Sequence, residues 1–253
     1  MVDASSPTPQ MNRTDTAIRV LTFNTYMGRR LDEVSRLVRE VRPHLAFLQE
    51  LLIYRYRGWT WHQAEGLARE LDMDFAFQRL VWRGGTDIGL ALLTTGRIDE
   101  PTPIQGPPDR PTGLSARVEI GGRPVSVAAV HFASVRRPLI LGYPLVMPMH
   151  YRQMAWTVDR LLQLGGPAIV AGDLNTTRGT PAHRLACRHY QDVAQQAGDT
   201  TGTRRTFGWP LRIDYIFTTS HFACEQYRVL SAEGSDHRPV VATLRWNEAP
   251  PRS

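Results

Sequence analysis

The stretch "LSARVEIGGRPVSVAAVHF" (114–132) constrains the fold more than any other part of the chain. Two alternating runs flank Gly121-Gly122, and a glycine pair in that position specifies a tight hairpin turn, because its residues must take positive φ. The second run ends on His131. A strand that stops on a titratable residue sets the pattern to look for elsewhere.

Several other short apolar runs end in the same way. "IRVLTFNTY" (18–26) reads as a strand ending at Asn24, and "HLAFLQE" (44–50) as one running into Glu50. Between them, Leu31, Val34, Leu37, Val38 and Val41 repeat at helical spacing, and Pro43 stops the helix. "WHQAEGLAREL" (61–71) reads as a second helix, followed by strands at "DFAFQRL" and "IGLALLT". "RQMAWTVDRLLQL" (152–164) is a helix closed by Gly165-Gly166, and "PAIVAGDLN" (167–175) is a strand. A looser stretch leads to the strand "RIDYIFTT" (212–219), and "SDHRPVVATLRW" (235–246) supplies a turn and a last strand. This order of strands and helices predicts an α/β fold of two β-sheets packed face to face, with helices outside.

With 42% hydrophobic and 21% charged residues, the 253-residue chain has the composition of an ordinary soluble globular protein. The polar, proline-rich segments 1–17 and 247–253 read as tails around a folded body of 18–246. No signal-peptide pattern opens the sequence, which makes it cytoplasmic by default, or secreted if a signal has been removed. "PLILGYPLVMPM" (138–149) is too short and proline-rich to span a membrane. Cys187 and Cys224 lack metal-type spacing and read as buried free thiols.

Asn24, Glu50, His131, Asp173, Asn175, Asp214, Asp236 and His237 all fall at or beside strand ends. Singly, most read as turn or surface residues. Asp214, between Ile213 and Tyr215, needs a partner if buried, and the Asp236-His237 pair is an uncommon way to enter an apolar strand.

In this order, "TFNTY", "LQE", "VHF", "GDLN", "IDYIF" and "SDHRP" resemble the endonuclease/exonuclease/phosphatase superfamily, over residues 22–239. The resemblance implies a four-layer α/β sandwich of two packed mixed β-sheets flanked by helices, with the active site at one edge of the paired sheets. It implies a metal site at Glu50, with Asn24 and Asp236 close to the same cation. Asp173 would orient or deprotonate the attacking water, and Asn175 would donate to a phosphoryl oxygen. His237, paired with Asp214, would bind phosphate or move a proton. His131 matches an extra histidine of the deoxyribonuclease and sphingomyelinase branches. An oxygen-rich set of Glu, Asp and Asn suits Mg²⁺, with Mn²⁺ or Ca²⁺ as alternatives. The expected function is therefore metal-dependent phosphoester hydrolysis. No Ser-His-Asp or Cys-His nucleophile motif and no glycine-rich phosphate loop competes with it.

The substrate is less constrained. Tyr26 stands where the abasic-site endonucleases carry an aspartate, which disfavours that branch. All 30 basic residues are arginine and the net charge is +6, which favours an anionic partner. Arg178, Arg204, Arg205 and Arg212, with Trp209 among them, are the candidates for contacting nucleic acid. Arg136-Arg137 and the apolar segment 138–149 could instead touch a phospholipid surface. The expectation is a monomeric phosphodiesterase acting on nucleic acid or a phospholipid head group. A phosphomonoesterase acting on a sugar or inositol phosphate and a non-catalytic phosphate- or lipid-binding module are the alternatives.

Overall fold

The computed structural model describes residues 17–106, 110–134, 139–206 and 209–247. The chain runs β1 (Ala17–Asn24), α1 (Leu31–Val41), β2 (Leu45–Tyr56), β3 (Trp59–His62), α2 (Gln63–Leu71), β4 (Asp74–Arg83) and β5 (Thr86–Thr94). It continues through β6 (Arg97–Ile104), β7 (Gly113–Ile120), β8 (Arg123–His131), α3 (Leu139–Leu164) and β9 (Ala168–Asp173). Then come α4 (Pro181–His189), β10 (Gln191–Asp192), α5 (Val193–Gln196), β11 (Arg204–Thr206), β12 (Trp209–Leu211), β13 (Asp214–Thr218), β14 (Phe222–Val229) and β15 (Val240–Trp246).

Two mixed sheets result. The first has the order β14-β15-β1-β2-β5-β4, with β3 added onto β2, and the second β10-β13-β9-β8-β7-β6. In each, one parallel pair is joined through a helix: β1 to β2 by α1, and β8 to β9 by α3. Alternation along the strands then sorts the side chains into layers. Ile18, Val20, Leu45 and Phe47 of the first sheet meet Ala116, Val127, Ile169 and Ile216 of the second in a central core. Leu21, Phe23, Leu48 and Leu93 face the opposite way, under Val34, Leu37 and Leu67 of α1 and α2. Val130, Val170 and Phe217 pack beneath Met154, Val158 and Leu185 of α3 and α4. Helix, sheet, sheet, helix is the four-layer sandwich the sequence predicts. Burying each such Val or Leu contributes about 1.5–3 kcal/mol.

The 114–132 hairpin forms as expected, with Ile120 opposite Arg123 across Gly121-Gly122. Helix α1 occupies 31–41 and ends where Arg42 turns left-handed (φ 49°) before Pro43. Three features differ from the sequence reading. The helix expected over 152–164 begins at Leu139 and passes through Pro144 and Pro148. The bond that Pro148 cannot donate would have gone to the Pro144 carbonyl, so both losses fall on one side of the helix. The segment 138–149 is thus mostly helical. Pro138, Arg136 and Arg137 lie outside the described residues, as do the side chains of 139–145. "WHQ" does not open a helix, because Trp59–His62 pairs back onto β2. Lastly, the two cysteines are free but not buried: Cys187 is exposed and Cys224 half-buried. Among the described residues, no helix is long and apolar enough to cross a membrane.

Candidate active site

The register of the second sheet aligns three of the expected residues. His131 at the end of β8 lies opposite Asp173 on β9, and Asp173 lies opposite Asp214 on β13. The glycine before Asp173 permits this close packing: a Cβ on Gly172 (φ 151°) would sit 1.9 Å from the Val130 carbonyl oxygen. The first sheet brings Asn24 and Glu50 to the same edge. Asn24 Nδ2 donates to Glu50 Oε1 and to Asp173 Oδ2, each at 3.1 Å, and so bridges the two sheets.

Glu50 occupies a bulge. Gln49 pairs with Leu90 and Leu51 with Gly89, leaving Glu50 as the extra residue at φ 60°. A left-handed glutamate costs on the order of 1 kcal/mol, a strain that stable surroundings impose at functional sites. The bulge also reverses the strand's alternation. Leu48 and Leu51, three residues apart, both enter the helix-side core.

Asp173 is 1% exposed. Its Oδ1 accepts from the Asn175 amide at 2.8 Å, and its Oδ2 accepts from Asn175 Nδ2 at 3.1 Å. Burial, together with the nearby Asp214 charge, raises the Asp173 carboxyl above its ordinary range against the opposing pull of His237 and His131. Asn175 (φ 46°) also donates to the Phe132 carbonyl at 3.1 Å. Its side-chain amide is thus shared between Asp173 and the Phe132 carbonyl, and donation to a phosphoryl oxygen would require releasing one of them.

His237 Nδ1 lies 2.9 Å from Asp214 Oδ2, and Nε2 lies 3.7 Å from Asp173 Oδ2. Burial alone would lower the imidazole pKa. The charges of Asp214 and Asp173 and the hydrogen bond with Asp214 outweigh it and raise the pKa to about 9. The ring is therefore imidazolium at neutral pH. His131 Nε2 stands 3.6 Å from Asp173 and 3.9 Å from Glu50, at ion-pair rather than hydrogen-bond range.

Ligand atoms of Asp173, Asp214 and His237 lie within 4.8 Å of one another, a spacing that can hold a metal ion, although His237 could serve as a ligand only in its neutral form. The Glu50–Asn24 pair adjoins them through Asp173. Asp236 lies at the margin of this group. Its Oδ1 is 4.0 Å from His237 Nε2, while its Oδ2 takes two hydrogen bonds from Arg204, at 2.9 and 2.6 Å.

Arg204 is correspondingly tied, and it also bridges His237 in the backbone. Arg212 is not a substrate contact. It is buried, with Nη1 and Nη2 donating to Asp192 at 2.8 and 2.7 Å. Arg178 is exposed at the mouth of a cavity of about 410 Å³ that His183 and Arg184 also line. Trp209 is 73% exposed on the β11–β12 hairpin, and the Arg205 side chain lies outside the described residues.

Two positioning residues escaped the sequence reading. Ser235 Oγ donates to the Asn24 carbonyl at 2.7 Å and accepts from the His237 amide at 3.0 Å. Thr203 Oγ1 accepts from the Asp214 amide at 3.1 Å. The serine two places before a site histidine was a usable signal for the first, and none pointed to the second.

The family model described as "Endonuclease/Exonuclease/phosphatase family" matches residues 21–237. No curated protein matches the chain in sequence. Among solved structures, an endonuclease/exonuclease/phosphatase from Beutenbergia cavernae superposes with a TM-score of 0.72 at 19% identity, covering 94% of this chain and 73% of that one. The human Nocturnin catalytic domain, solved with a bound sulfate anion, gives 0.73 at 15% identity, covering 92% and 95%. Truncated Caenorhabditis elegans TDP2 gives 0.62 at 20% identity, covering 90% and 97%. These likenesses establish a shared fold, and the family match spans most of the sequence: the chain belongs to the endonuclease/exonuclease/phosphatase family.

Proposed function

We propose that the protein is a Mg²⁺-dependent phosphodiesterase that hydrolyses nucleic acid or a phospholipid head group by in-line attack of water. The observation that carries this reading is the buried His237 ring held between Asp214 at 2.9 Å and Asp173 at 3.7 Å, with Glu50 and Asn24 at the same edge. Three carboxylates, Glu50, Asp173 and Asp214, share that edge with one protonated histidine. Their surplus negative charge and oxygen donors fit a hard divalent cation. Glu50 and Asn24 would hold it, with Asp173 and Asp214 alongside. When bound, the ion would offset the charge that grows on the phosphoryl and leaving oxygens.

The chain's own groups divide the remaining work. Asp173, buried and fixed by Asn24 and Asn175, orients the attacking water and accepts its proton. His237, locked by Asp214, donates from Nε2 to a phosphoryl oxygen, a contact of the kind typically worth ~3 kcal/mol in the transition state. His131 lies within reach of both Asp173 and Glu50 and lends a second donor on the opposite side.

Hydrolysis of bis-p-nitrophenyl phosphate in Mg²⁺ and in EDTA, by wild type and Asp173→Ala, tests the reading. Cleavage that needs the metal and falls at least about 1000-fold in the variant is expected. Cleavage that survives EDTA or the substitution would overturn it. Activity confined to p-nitrophenyl phosphate would make the enzyme a phosphomonoesterase.

A further inference from the structure

Beyond Glu50, β2 leaves the sandwich as a hairpin with β3, turning at Arg57-Gly58, both at positive φ. Tyr54 pairs with Trp61 and Tyr56 with Trp59, so all four rings share one face of the ribbon. The Tyr54 and Trp61 rings stack at 5.7 Å and 12°. All four are exposed, at 42% (Tyr54), 54% (Trp61), 69% (Tyr56) and 81% (Trp59).

Pairing across the sheet fixes which face this is. Ile53 and His62 belong to the helix side, where the His62 ring meets Phe75 and Phe77 at 5.6 and 5.0 Å. The aromatic residues therefore continue the opposite face, the one that meets the second sheet inside the sandwich. Past the catalytic edge, the described part of the second sheet no longer covers it. At ~3.3 Å per residue the platform starts about 13 Å beyond Glu50 along β2. It forms a wall running outward from the site.

Its charge is one-sided. Arg55 and Arg79 fall on the helix-side face, in register with Ile53 and Leu51, and already meet the buried Asp87 there. The ring face keeps Arg57 at the tip and the exposed Arg83, whose partner Thr86 also pairs with Tyr54, and the one carboxylate of segments 51–62 and 79–88 is turned away from it. Arg57 lies over the Tyr56 ring, 5.4 Å from its centroid. Every exposed ring also carries a polar N–H or O–H, and the tip is Arg-Gly rather than an aliphatic wedge. Trp and Tyr also suit a membrane interface, but an Arg-Gly tip offers no apolar wedge to insert.

Resting on the phosphodiesterase reading, we infer that this face binds an unpaired nucleic-acid strand, stacking its bases on Tyr54, Tyr56, Trp59 and Trp61 and feeding the backbone to the catalytic edge. Flat rings flanked by Arg57 and Arg83 match the two chemical demands of a single strand, whose bases offer π-faces and whose phosphates carry charge. A duplex hides the base faces and gains only the arginines.

The test is binding of a labelled oligonucleotide of about 10 nucleotides to metal-free protein in EDTA, where no cleavage intervenes. The same strand in a blunt duplex and vesicles of phosphatidylserine with phosphatidylcholine run alongside. Wild type should bind the single strand at least about 10-fold more tightly than the duplex. The Trp59→Ala/Trp61→Ala double variant should lose at least about 20-fold, and the Trp59→Phe/Trp61→Phe variant should keep most of the binding. Cleavage of bis-p-nitrophenyl phosphate, too small to reach the hairpin, should be unchanged in both variants. Equal binding of duplex and single strand, an alanine variant that binds like wild type, or binding to vesicles alone would overturn the inference. If wild type fails to cleave the small diester, the catalytic reading falls, while the EDTA binding result still decides the platform.

Discussion

His237 and His183 each meet a buried aspartate of the second sheet at nearly the same distance, 2.9 Å to Asp214 and 3.0 Å to Asp192. Their surroundings differ in charge balance. Asp192 also receives both Nη atoms of Arg212, the Gln195 side chain at 2.9 Å and the Ala194 amide at 3.1 Å. Burial pushes its carboxyl upward, but hydrogen bonds from His183 and Arg212 and the guanidinium charge outweigh that and hold it well below the ordinary range. Around His237, carboxylates outnumber cations, and Asp173 is driven up rather than down. A closed balance marks a structural pair. An open one is what the proposed function requires of a site that takes up substrate and metal.

The largest effect should come from exchanging the two histidines' fates. His237→Ala is expected to reduce diester cleavage by about 1000-fold or more, and also to lower the unfolding midpoint, because it leaves Asp214 and Asp173 buried without their imidazole partner. His183→Ala should lower stability alone, while activity per folded molecule stays within a few-fold. Denaturant unfolding and steady-state rates on both variants check this, and equal loss of activity in the two would break the distinction.

Next in size, Asp192→Asn leaves Arg212 buried against a neutral partner and should cost about 3 kcal/mol in urea unfolding at pH 7. The pH dependence has a definite sign. Because folding depresses the Asp192 pKa, its contribution is complete above the ordinary aspartate value of 3.8 and fades as pH falls below it. The gap between wild type and variant should therefore close in acid, and a gap that widened would refute the pairing. The smallest effect concerns the helix carrying His183. Thr180 caps α4, its Oγ accepting from the His183 amide at 3.4 Å, and Thr180→Ala should cost about 1 kcal/mol without touching cleavage.

The same contrast explains what the sequence disclosed. Asp173, Asp214 and His237 stood out because each polar residue interrupts or ends an apolar run, and sheet register then brings the runs together. Arg212 was misread for the converse reason. It sits two residues before Asp214, but its partner Asp192 lies in "QDVAQ", where an aspartate before a short helix is fully accounted for as a cap. Only the folded chain shows that it serves both. Strand β6 carries Pro101 and Pro103 and gave no strand signal, yet it lies at the edge of its sheet, where missing amide donors are tolerated. Strand β3 was hidden because Trp59–His62 owes its conformation to Tyr54 and Tyr56 across the turn, not to its own pattern.

The extra residue at Glu50 sets a rule of parity for everything downstream of it. Deleting one residue between Gln49 and Leu51 would restore regular alternation and turn Tyr54, Tyr56, Trp59 and Trp61 to the opposite face, under α2 and away from the cleft. The hairpin can therefore change length by one residue in each arm at once, which preserves its pairing, but not by one residue in β2 alone. Relatives of this protein that keep the platform should differ in this segment by even numbers of residues.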